Sequence, residues 1–493
     1  MRRAREYFRI YKFARRYDRI SGKFVLDVAY ETAAPRPSER VVAVAEGFGL
    51  GLDKWEKFVI YDNVELNLSP KDIVYITGDS GSGKSVFLRA LLKDLGPEAV
   101  EMTRVRVDAD RPLIETLGRT VEEGLELLSR VGLNDAFLFL RTYNQLSDGQ
   151  RYRYRLAKLI ESGRQWWVMD EFCATLDRDT AKIVAFNVQK LARALGKAVV
   201  AATTHTDLFE DLKPSVHVHK RFGKEISVKY YPNEPARECS LMGEMHVSEG
   251  TTQDWKRLAS FHYRSHRLGA VRKIFSLRRA EEVCGVIVYC YPPPNAYGRR
   301  MVLPRMRMNE LNEKLSIISR VVVHPKYRTM GLGKKLIRDT LPLVGTHVEM
   351  VAVMAKYNPF AENAGMQRIT QQSPAKGLLC ICETLSDLGF NPQFLGSQTY
   401  LLHKLRLLNS ADLNKLRAAL IKHRHPRFLK EFASRNVYGK VSLYAEAVKK
   451  APLEKMVRLI KICGMLLQTK VYLFWRDNQA APTHATLLLG LGV

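Results

Sequence analysis

The chain has 493 residues, of which 46% are hydrophobic and 26% are charged. At about 150 residues per domain, this predicts roughly three globular units and excludes a wholly disordered, collagen-like or coiled-coil chain. The 78 Lys and Arg residues against 51 Asp and Glu give a formal net charge of +27, which concerns partners rather than fold. Seven cysteines are too few for a disulfide framework and fit a reduced compartment.

Membrane and secretion signals are not found in the sequence. No apolar stretch reaches the roughly 18 residues that a membrane-spanning helix needs. The basic N-terminus is not followed by the apolar segment of a signal peptide. We therefore expect a cytoplasmic protein that makes no membrane contact.

The positive charge is unevenly distributed along the chain. Residues 70–215 contain 21 Lys and Arg and 21 Asp and Glu, so this stretch is formally neutral. Basic runs lie outside it, at residues 1–20, 251–280, 299–338 and 403–430. Either these runs are ordinary solvated surfaces, or the neutral module binds a small ligand while the basic regions bind a polyanion. Four separate runs favour a nucleic-acid partner, and aromatic residues interleaved with the first run are suited to stacking on unpaired bases.

After a basic N-terminal segment, residues 1–40, the first motif is a glycine-rich loop between a predicted strand and a predicted helix. Ile73–Thr77 is a β-branched apolar run, and the loop Gly78–Ser85 has the pattern G-x-x-x-x-G-K-S. Backbone N–H groups of such a loop wrap a phosphate, Lys84 reaches the outer phosphates of ATP, and Ser85 holds Mg²⁺. The other loop residues predicted to bind the nucleotide are Gly78, Ser80, Gly81 and Gly83.

A second predicted strand, Trp166–Met169, ends in two carboxylates, Asp170 and Glu171. Carboxylates at the carboxyl end of a buried strand, beside a phosphate loop, suit a metal ligand and a base that activates water. We therefore predict that Asp170 binds Mg²⁺ and that Glu171 is catalytic.

Three further motifs complete an ordered set: Leu146–Gln150, with the sequence LSDGQ, lies between the phosphate loop and this strand, and Ala174–Asp177 and Thr204–His205 come after it. With the phosphate loop, this set resembles the ABC-type ATPases over about residues 41–235. The resemblance implies a head-to-tail homodimer that traps two ATP molecules. Ser147 and Gly149 would contact the partner's nucleotide, Asp177 would lie in the D-loop, and His205 would be the switch histidine of catalysis.

Two departures from this family pattern are present. The signature has Ser-Asp-Gly, with Asp148, where the family usually has Ser-Gly-Gly, and no glutamine lies between Lys84 and Gln145. In transporters that glutamine loop contacts the membrane domain, so its loss argues against a transporter. The aromatic residue that stacks on adenine is either Tyr61 or Phe58.

A second strand–turn–helix pattern lies further along the chain, and we call it the second motif. Leu315–Val323 is predicted to be a strand, and the turn that follows has the pattern R-x-x-G-x-G. The longer string V-V-V-H-P-x-Y-R-x-x-G-x-G resembles motif A of the GNAT acyltransferases, over about residues 240–405. The resemblance implies a mixed α/β domain whose turn holds the diphosphate of acetyl-CoA. The residues implied in binding it are Val323, Arg328, Gly331 and Gly333.

The position of the general acid departs from the family pattern in this second domain. Ala361 stands where many GNAT members have a catalytic tyrosine, four residues before Gly365. Tyr357 is the nearby substitute and is our candidate catalytic residue, although it would also suit an aromatic packing on the sheet. Asn358–Gly365 resembles the helix and glycine that follow in the family. His262 and His266 share one face of a predicted helix, Asp254–Arg267, which favours a solvated or stacking role over metal binding.

The region 406–493 is basic and is predicted to be mainly helical, as in Leu413–His423 and Val441–Lys461. The expected fold class is therefore multidomain α/β, with an ABC-type head, a GNAT-like domain and a helical C-terminal region. The expected function is ATP-dependent, acyl-CoA-dependent N-acetyl transfer to DNA or RNA. Two alternatives stay open: a nucleic-acid clamp whose inactive GNAT domain senses acyl-CoA, and a protein N-acetyltransferase.

Overall fold

The polypeptide folds into two units whose segments alternate along the chain. The computed structural model describes residues 8–32, 38–49, 57–133, 135–262, 268–353, 355, 358–432, 441–467 and 469–477. The first unit comprises Met1–Leu268, Lys273–Val288 and Arg320–Asp339, and the second comprises Gly269–Arg272, Tyr289–Ser319 and Thr340–Val493. Among the described helices, none has both the length and the apolar character needed to cross a bilayer.

The strands and helices alternate through most of the chain. The strands are β1 Phe8–Tyr17, β2 Lys23–Thr32, β3 Lys57–Asn67, β4 Ile73–Gly78, β5 Ala99–Glu101, β6 Trp166–Met169, β7 Ala198–Ala202, β8 Val216–Lys220, β9 Ile226–Tyr230, β10 His246–Glu249, β11 Val271–Arg279, β12 Glu282–Cys290, β13 Leu315–Val323, β14 His347–Ala352, β15 Gln367–Gln372 and β16 Lys470–Trp475. The α-helices are α1 Glu39–Gly47, α2 Lys84–Leu95, α3 Leu113–Thr116, α4 Val121–Arg130, α5 Ala136–Phe139, α6 Asp148–Glu161, α7 Arg178–Ala194, α8 Phe209–Leu212, α9 Thr252–Leu258, α10 Met308–Lys314, α11 Leu332–Val344, α12 Lys376–Asp387, α13 Gln398–Leu407, α14 Ser410–Lys422, α15 Pro426–Lys430, α16 Val441–Lys449 and α17 Leu453–Leu466.

A six-stranded sheet forms the centre of the first unit, in the order β5-β6-β7-β4-β8-β9. Its first five strands are parallel and β9 is antiparallel to β8. Every residue of β4, β6 and β7 is buried, as expected of parallel strands covered on both faces. The parallel arrangement brings the carboxyl ends of β4, β6 and β7 to one edge, where the phosphate loop and the two acidic residues follow.

The N-terminal strands belong to the first unit's core. β1, β2 and β3 form an antiparallel sheet. Phe24 of β2 is fully buried and lies with its ring centroid 5.2 Å from that of Phe87 on α2. The sequence pattern set residues 1–40 apart as a basic segment. That separation is wrong for β2, because its alternating apolar residues pack against α2.

The second unit contains strands that pair with one another. β13 pairs in parallel with β14 through Leu315–Ile317, β14 pairs antiparallel with β16, and β16 pairs antiparallel with β15. Val471–Phe474 of β16 are all buried. The prediction of a mainly helical region after residue 406 missed this strand, because it joins β14 and β15 from more than 95 residues away in sequence.

Helices α12 to α17 enclose a separate apolar cluster of the second unit, around residues such as Leu385, Leu416 and Ile460. The predicted helix Leu413–His423 corresponds to α14. The predicted helix over 441–461 is divided into α16 and α17 by residues 450–452, where Pro452 caps α17. In Asn358–Gly365, the structure has a single 3-10 turn, Glu362–Ala364, instead of a longer helix.

Candidate nucleotide site and the pocket beside the signature motif

The glycine-rich loop joins β4 to α2, as its sequence predicts. Lys84 is the first residue of α2, and its Nζ atom donates hydrogen bonds to the carbonyls of Gly78 at 2.8 Å and Asp79 at 2.6 Å. Burial lowers the pKa of Lys84, and the negative charges of Asp170 and Asp79 oppose that shift. The ammonium group is therefore held inside the loop, where it can meet the outer phosphates of a nucleotide.

A pocket of about 1350 Å³ opens around this loop. Asp170 and Glu171, which follow β6, line it together with the loop. Glu171 has a left-handed backbone with φ of 49°, and its N–H lies 3.0 Å from Oδ1 of Asp170. The predicted nucleotide and metal residues that line this pocket are Ser80, Gly81, Gly83, Lys84, Ser85, Asp170 and Glu171.

The donor set in this pocket fits Mg²⁺. A hydroxyl from Ser85 and a carboxylate from Asp170 line the same space, and Mg²⁺ prefers few protein oxygens, completed by phosphate oxygens and water. Among the described residues no group of three His, Cys, Asp or Glu residues is placed to hold a metal ion.

The choice between Tyr61 and Phe58 is resolved by their opposite orientation on β3. Tyr61 is 1% exposed, and its hydroxyl donates to the carbonyl of Gly83 at 3.0 Å. Phe58 is 40% exposed and lines the large pocket. Further aromatic residues that line the pocket, and that sequence reasoning did not identify, are Phe13, Tyr30 and Phe222. Of Tyr61 and Phe58, Phe58 is therefore the one whose ring is available for stacking.

His205 follows β7 at the edge of the same region. Thr203 and Thr204 line the large pocket, and the N–H of His205 donates to Oγ1 of Thr203 at 3.2 Å. The carbonyl of His205 accepts a hydrogen bond from the hydroxyl of Tyr75. The backbone at His205 is thus fixed next to the pocket, and the catalytic role of its ring stays a prediction.

Ser147, Gly149 and Asp177 line a different pocket, of about 420 Å³. Ser147 caps α6 in a capping box with Gln150, and Asp177 caps α7 by accepting from the N–H of Thr180 at 3.1 Å. One copy of the chain thus places the phosphate loop in one pocket and the signature residues in another. This separation is what a head-to-tail dimer would require.

The turn of the second motif borders this smaller pocket through Pro325, Lys326 and Arg328, all within the first unit. Arg153 on α6 donates from Nη1 to the carbonyl of Pro325 at 3.2 Å and from Nη2 to that of Lys326 at 3.0 Å. Sequence reasoning missed Arg153 and Lys326. The available signal for Arg153 was its position four residues after Gly149, on the same face of the helix.

The predicted strand, turn and helix of the second motif are present as β13, residues 324–331 and α11. The carbonyl of Val323 accepts from Nε of Arg328 at 3.4 Å. Gly331 has φ of 92°, and a Cβ added there would meet nothing within 4 Å. Gly333 lies in the first turn of α11. Tyr357, the candidate general acid, lies outside the described residues, and Ala361 is fully buried. The binding of acetyl-CoA here stays a prediction.

Comparison with known proteins finds relatives of the first part of the chain. The cytochrome c biogenesis ATP-binding export protein CcmA of Agrobacterium fabrum (strain C58 / ATCC 33970) is 32% identical over 192 residues, which are 32% of this chain and 87% of that protein. CcmA of Gluconobacter oxydans (strain 621H) is 30% identical over 168 residues, 30% of this chain and 76% of that protein. The zinc import ATP-binding protein ZnuC of Jannaschia sp. (strain CCS1) is 29% identical over 160 residues, 28% of this chain and 63% of that protein.

Among solved structures, the dimeric ATP-binding cassette MJ0796 bound to ADP and Pi is 19% identical and covers 36% of this chain and 92% of its own, with a TM-score of 0.30. No protein-family model matches the chain.

Proposed function

Since the chain belongs to the ABC-type ATPases, we propose that it uses ATP to control an acyl-CoA-dependent acyl transfer to nucleic acid. The ATP-binding cassette is the part that its relatives share. The acyl transfer, the nucleic-acid acceptor and the homodimer are the proposal.

One observation supports control of the second motif by ATP more than any other. The turn after β13 is joined to α6 by the two hydrogen bonds of Arg153 and to the start of α7 by Lys326, whose Nζ lies 2.8 Å from Asp179. Ser147 and Asp177 begin these same two helices. A change in the helices as two copies close on ATP would therefore be transmitted to the turn.

The backbone of that turn supports a ligand with a diphosphate. Gly331 is exposed and faces open space, and the thirteen-residue helix α11 begins at the next residue. A helix N-terminus with a glycine turn before it presents backbone N–H groups and partial positive charge to an anion. The diphosphate of acetyl-CoA has the charge and shape that this arrangement takes.

A nucleic-acid acceptor is supported by the distribution of charge. The formal net charge of +27 lies outside the neutral stretch 70–215. Lysine and arginine that neutralise phosphates release counterions, and this supplies most of the affinity for nucleic acid.

A regulatory clamp is the second candidate. Ala361 is buried where a catalytic tyrosine was expected, and Arg328 lines the pocket beside Ser147. In that version acyl-CoA binds and changes the ATPase rate, and no acyl group is transferred.

The two versions are separated by one experiment. The full-length protein, with ATP and labelled acetyl-CoA, is given DNA, RNA or a protein mixture, and the label is located by mass spectrometry. Gly331→Val is the matched variant, because a branched side chain at φ of 92° is strained and would keep the backbone from the diphosphate. Transfer to nucleic acid that the variant loses supports the proposal. Label on protein alone rejects the nucleic-acid acceptor, and a changed ATPase rate without any product favours the clamp.

A further inference from the structure

The smaller pocket collects positive charge at the start of two helices. It lies among the first residues of α6 and α7 and the turn after β13, and all of its lining belongs to the first unit. Arg153, Lys326 and Arg328 line it together with Ser147 and Gly149. A hydroxyl, a helix N-terminus and several cations in one pocket are suited to an anion with several oxygens.

The two arginines in this pocket are not equally satisfied. Arg153 is 6% exposed, and its Nη1 and Nη2 atoms donate to the carbonyls of the turn. Arg328 donates from Nε to the carbonyl of Val323, but its Nη1 atom is buried and has no hydrogen-bond partner among the described residues. A buried donor without a partner destabilises the folded protein. An anion in the pocket would remove that cost.

Three cationic side chains, of Arg153, Lys326 and Arg328, and two acidic ones, of Asp148 and Asp177, line the pocket. Burial and the nearby charge of Arg328 lower the pKa of Arg153 to about 10. The two acids that line the pocket lie beside cations, Asp177 at 3.4 Å from Lys326 and Asp148 at 3.5 Å from Arg151. Two guanidinium groups that line one pocket favour a bound anion.

The turn is held in place by a close backbone approach. A Cβ added to Gly132 would lie 2.7 Å from Cγ2 of Thr329 and 3.1 Å from Nη1 of Arg153. Gly132 also has φ of 83°. The glycine therefore allows the turn to pack onto the segment after α4, and this contact fixes Arg328 beside Arg153.

We propose that Arg328 and Arg153 form a phosphate-binding subsite in this pocket, beside Ser147 and Gly149. The phosphate has two sources: the terminal phosphate of ATP carried by a second copy, or the diphosphate of a nucleotide cofactor bound by one copy. The first source rests on the homodimer of the proposed function. With the first source, Arg328 contributes to the signature face of the cassette, although it belongs to the second motif by sequence.

The test uses the full-length chain and two arms. In the first, Arg328→Met is made in a Glu171→Gln protein, and the dimer dissociation constant with ATP and Mg²⁺ is measured by sedimentation, alongside ATP affinity at low protein concentration. In the second, inorganic pyrophosphate is titrated calorimetrically into a Lys84→Ala protein with and without Arg328→Met. Arg155→Met is the matched control, because Arg155 lies on the same helix but does not line the pocket.

A dimer weakened at least tenfold, with ATP affinity of the single copy unchanged, assigns the subsite to the partner's nucleotide. Loss of pyrophosphate binding assigns it to a diphosphate held by one copy. If Arg328→Met behaves like Arg155→Met in both arms and melts at the parent temperature, the subsite does not exist. If the Arg328→Met protein does not fold, Arg328→Lys replaces it in both arms. The lysine keeps the charge but lacks the two terminal nitrogens of the guanidinium group, so we expect a smaller loss of binding. Neither arm depends on acyl transfer, so the subsite can stand when the acyl-transfer proposal fails.

Discussion

The Nζ atom of Lys326 lies 2.8 Å from a carboxylate oxygen of Asp179 and 3.4 Å from one of Asp177. Asp179 also accepts from Arg279 at 2.7 Å. The first turn of α7 is therefore bound by charge to two segments that lie about 100 and 150 residues further along the chain. These ion pairs join the D-loop region to the second motif.

The stability that the ion pairs of Asp179 contribute should depend on pH. Burial alone would raise the pKa of Asp179, but hydrogen bonds and charges from Lys326 and Arg279 outweigh it and hold the pKa below its ordinary value. The stabilisation is therefore present above the unfolded pKa of about 3.9 and is lost as pH falls through the lower folded pKa. Asp179→Asn should reduce the free energy of unfolding by about 1 kcal/mol at neutral pH.

Urea unfolding of the parent and Asp179→Asn proteins, from neutral to acid pH, measures this difference. The two curves should converge below about pH 3.9. Asp148→Asn is the control, since that side chain is 75% exposed. A difference that stays constant across the pH range would show that the ionised carboxylate is not what Lys326 and Arg279 stabilise.

Glu171→Gln should stop hydrolysis without preventing ATP binding. Glu171 lines the pocket of the phosphate loop and follows Asp170, and a general base contributes about 10²–10⁴-fold to rate. The amide has the same shape, so the left-handed backbone at φ of 49° is not further strained. Phosphate release should fall by that factor, and light scattering should show an ATP-dependent dimer. The exposed Glu210→Gln serves as control, and a monomer at saturating ATP would refute the dimer.

Phe58 and Tyr61 should respond oppositely to substitution. Phe58→Ala removes an exposed ring from the pocket, and stacking on a base is worth about 1–3 kcal/mol. We expect ATP affinity to fall about tenfold and the melting temperature to change little. Tyr61→Phe removes the hydrogen bond to Gly83, at a cost of about 1 kcal/mol in stability, and should leave the stacking surface unaltered. Calorimetry and thermal melts measure both, and an equal loss of ATP affinity in the two would contradict the assignment.

The local motifs could be predicted from sequence because their signals lie within a few residues. The loop Gly78–Ser85 needs only its own glycines, lysine and flanking apolar runs to define strand, turn and helix. By contrast, Arg153 meets Pro325 across 172 positions, and no local pattern indicates such a pair. Phe58 and Tyr61 must face opposite sides of a strand with a two-residue period, but only the packed structure shows which side covers the pocket. β16 was missed for the same reason, since its strand partners are distant in sequence.

Nucleic-acid binding should weaken steeply as salt rises, and a set of exposed cations should carry part of that dependence. Deleting residues 1–20 is unsuitable as a test, because it would remove β1, which pairs with β2. Lys422, Arg424 and Arg427 are exposed and belong to the basic run 403–430. Replacing all three by Gln should reduce the slope of log K against log salt by about 0.9 for each duplex phosphate that these side chains neutralise in the parent protein.

Filter binding or fluorescence anisotropy over a series of salt concentrations gives this slope. The matched control replaces Arg104, Arg111 and Arg130 by Gln, because these three are also exposed but lie in the neutral stretch 70–215. Both triple variants lose the same formal charge, so a general effect of net charge would lower the two slopes equally. A smaller slope for the first set alone places phosphate contacts in the run 403–430. An affinity that does not vary with salt in the parent protein would reject the electrostatic account of a nucleic-acid partner altogether.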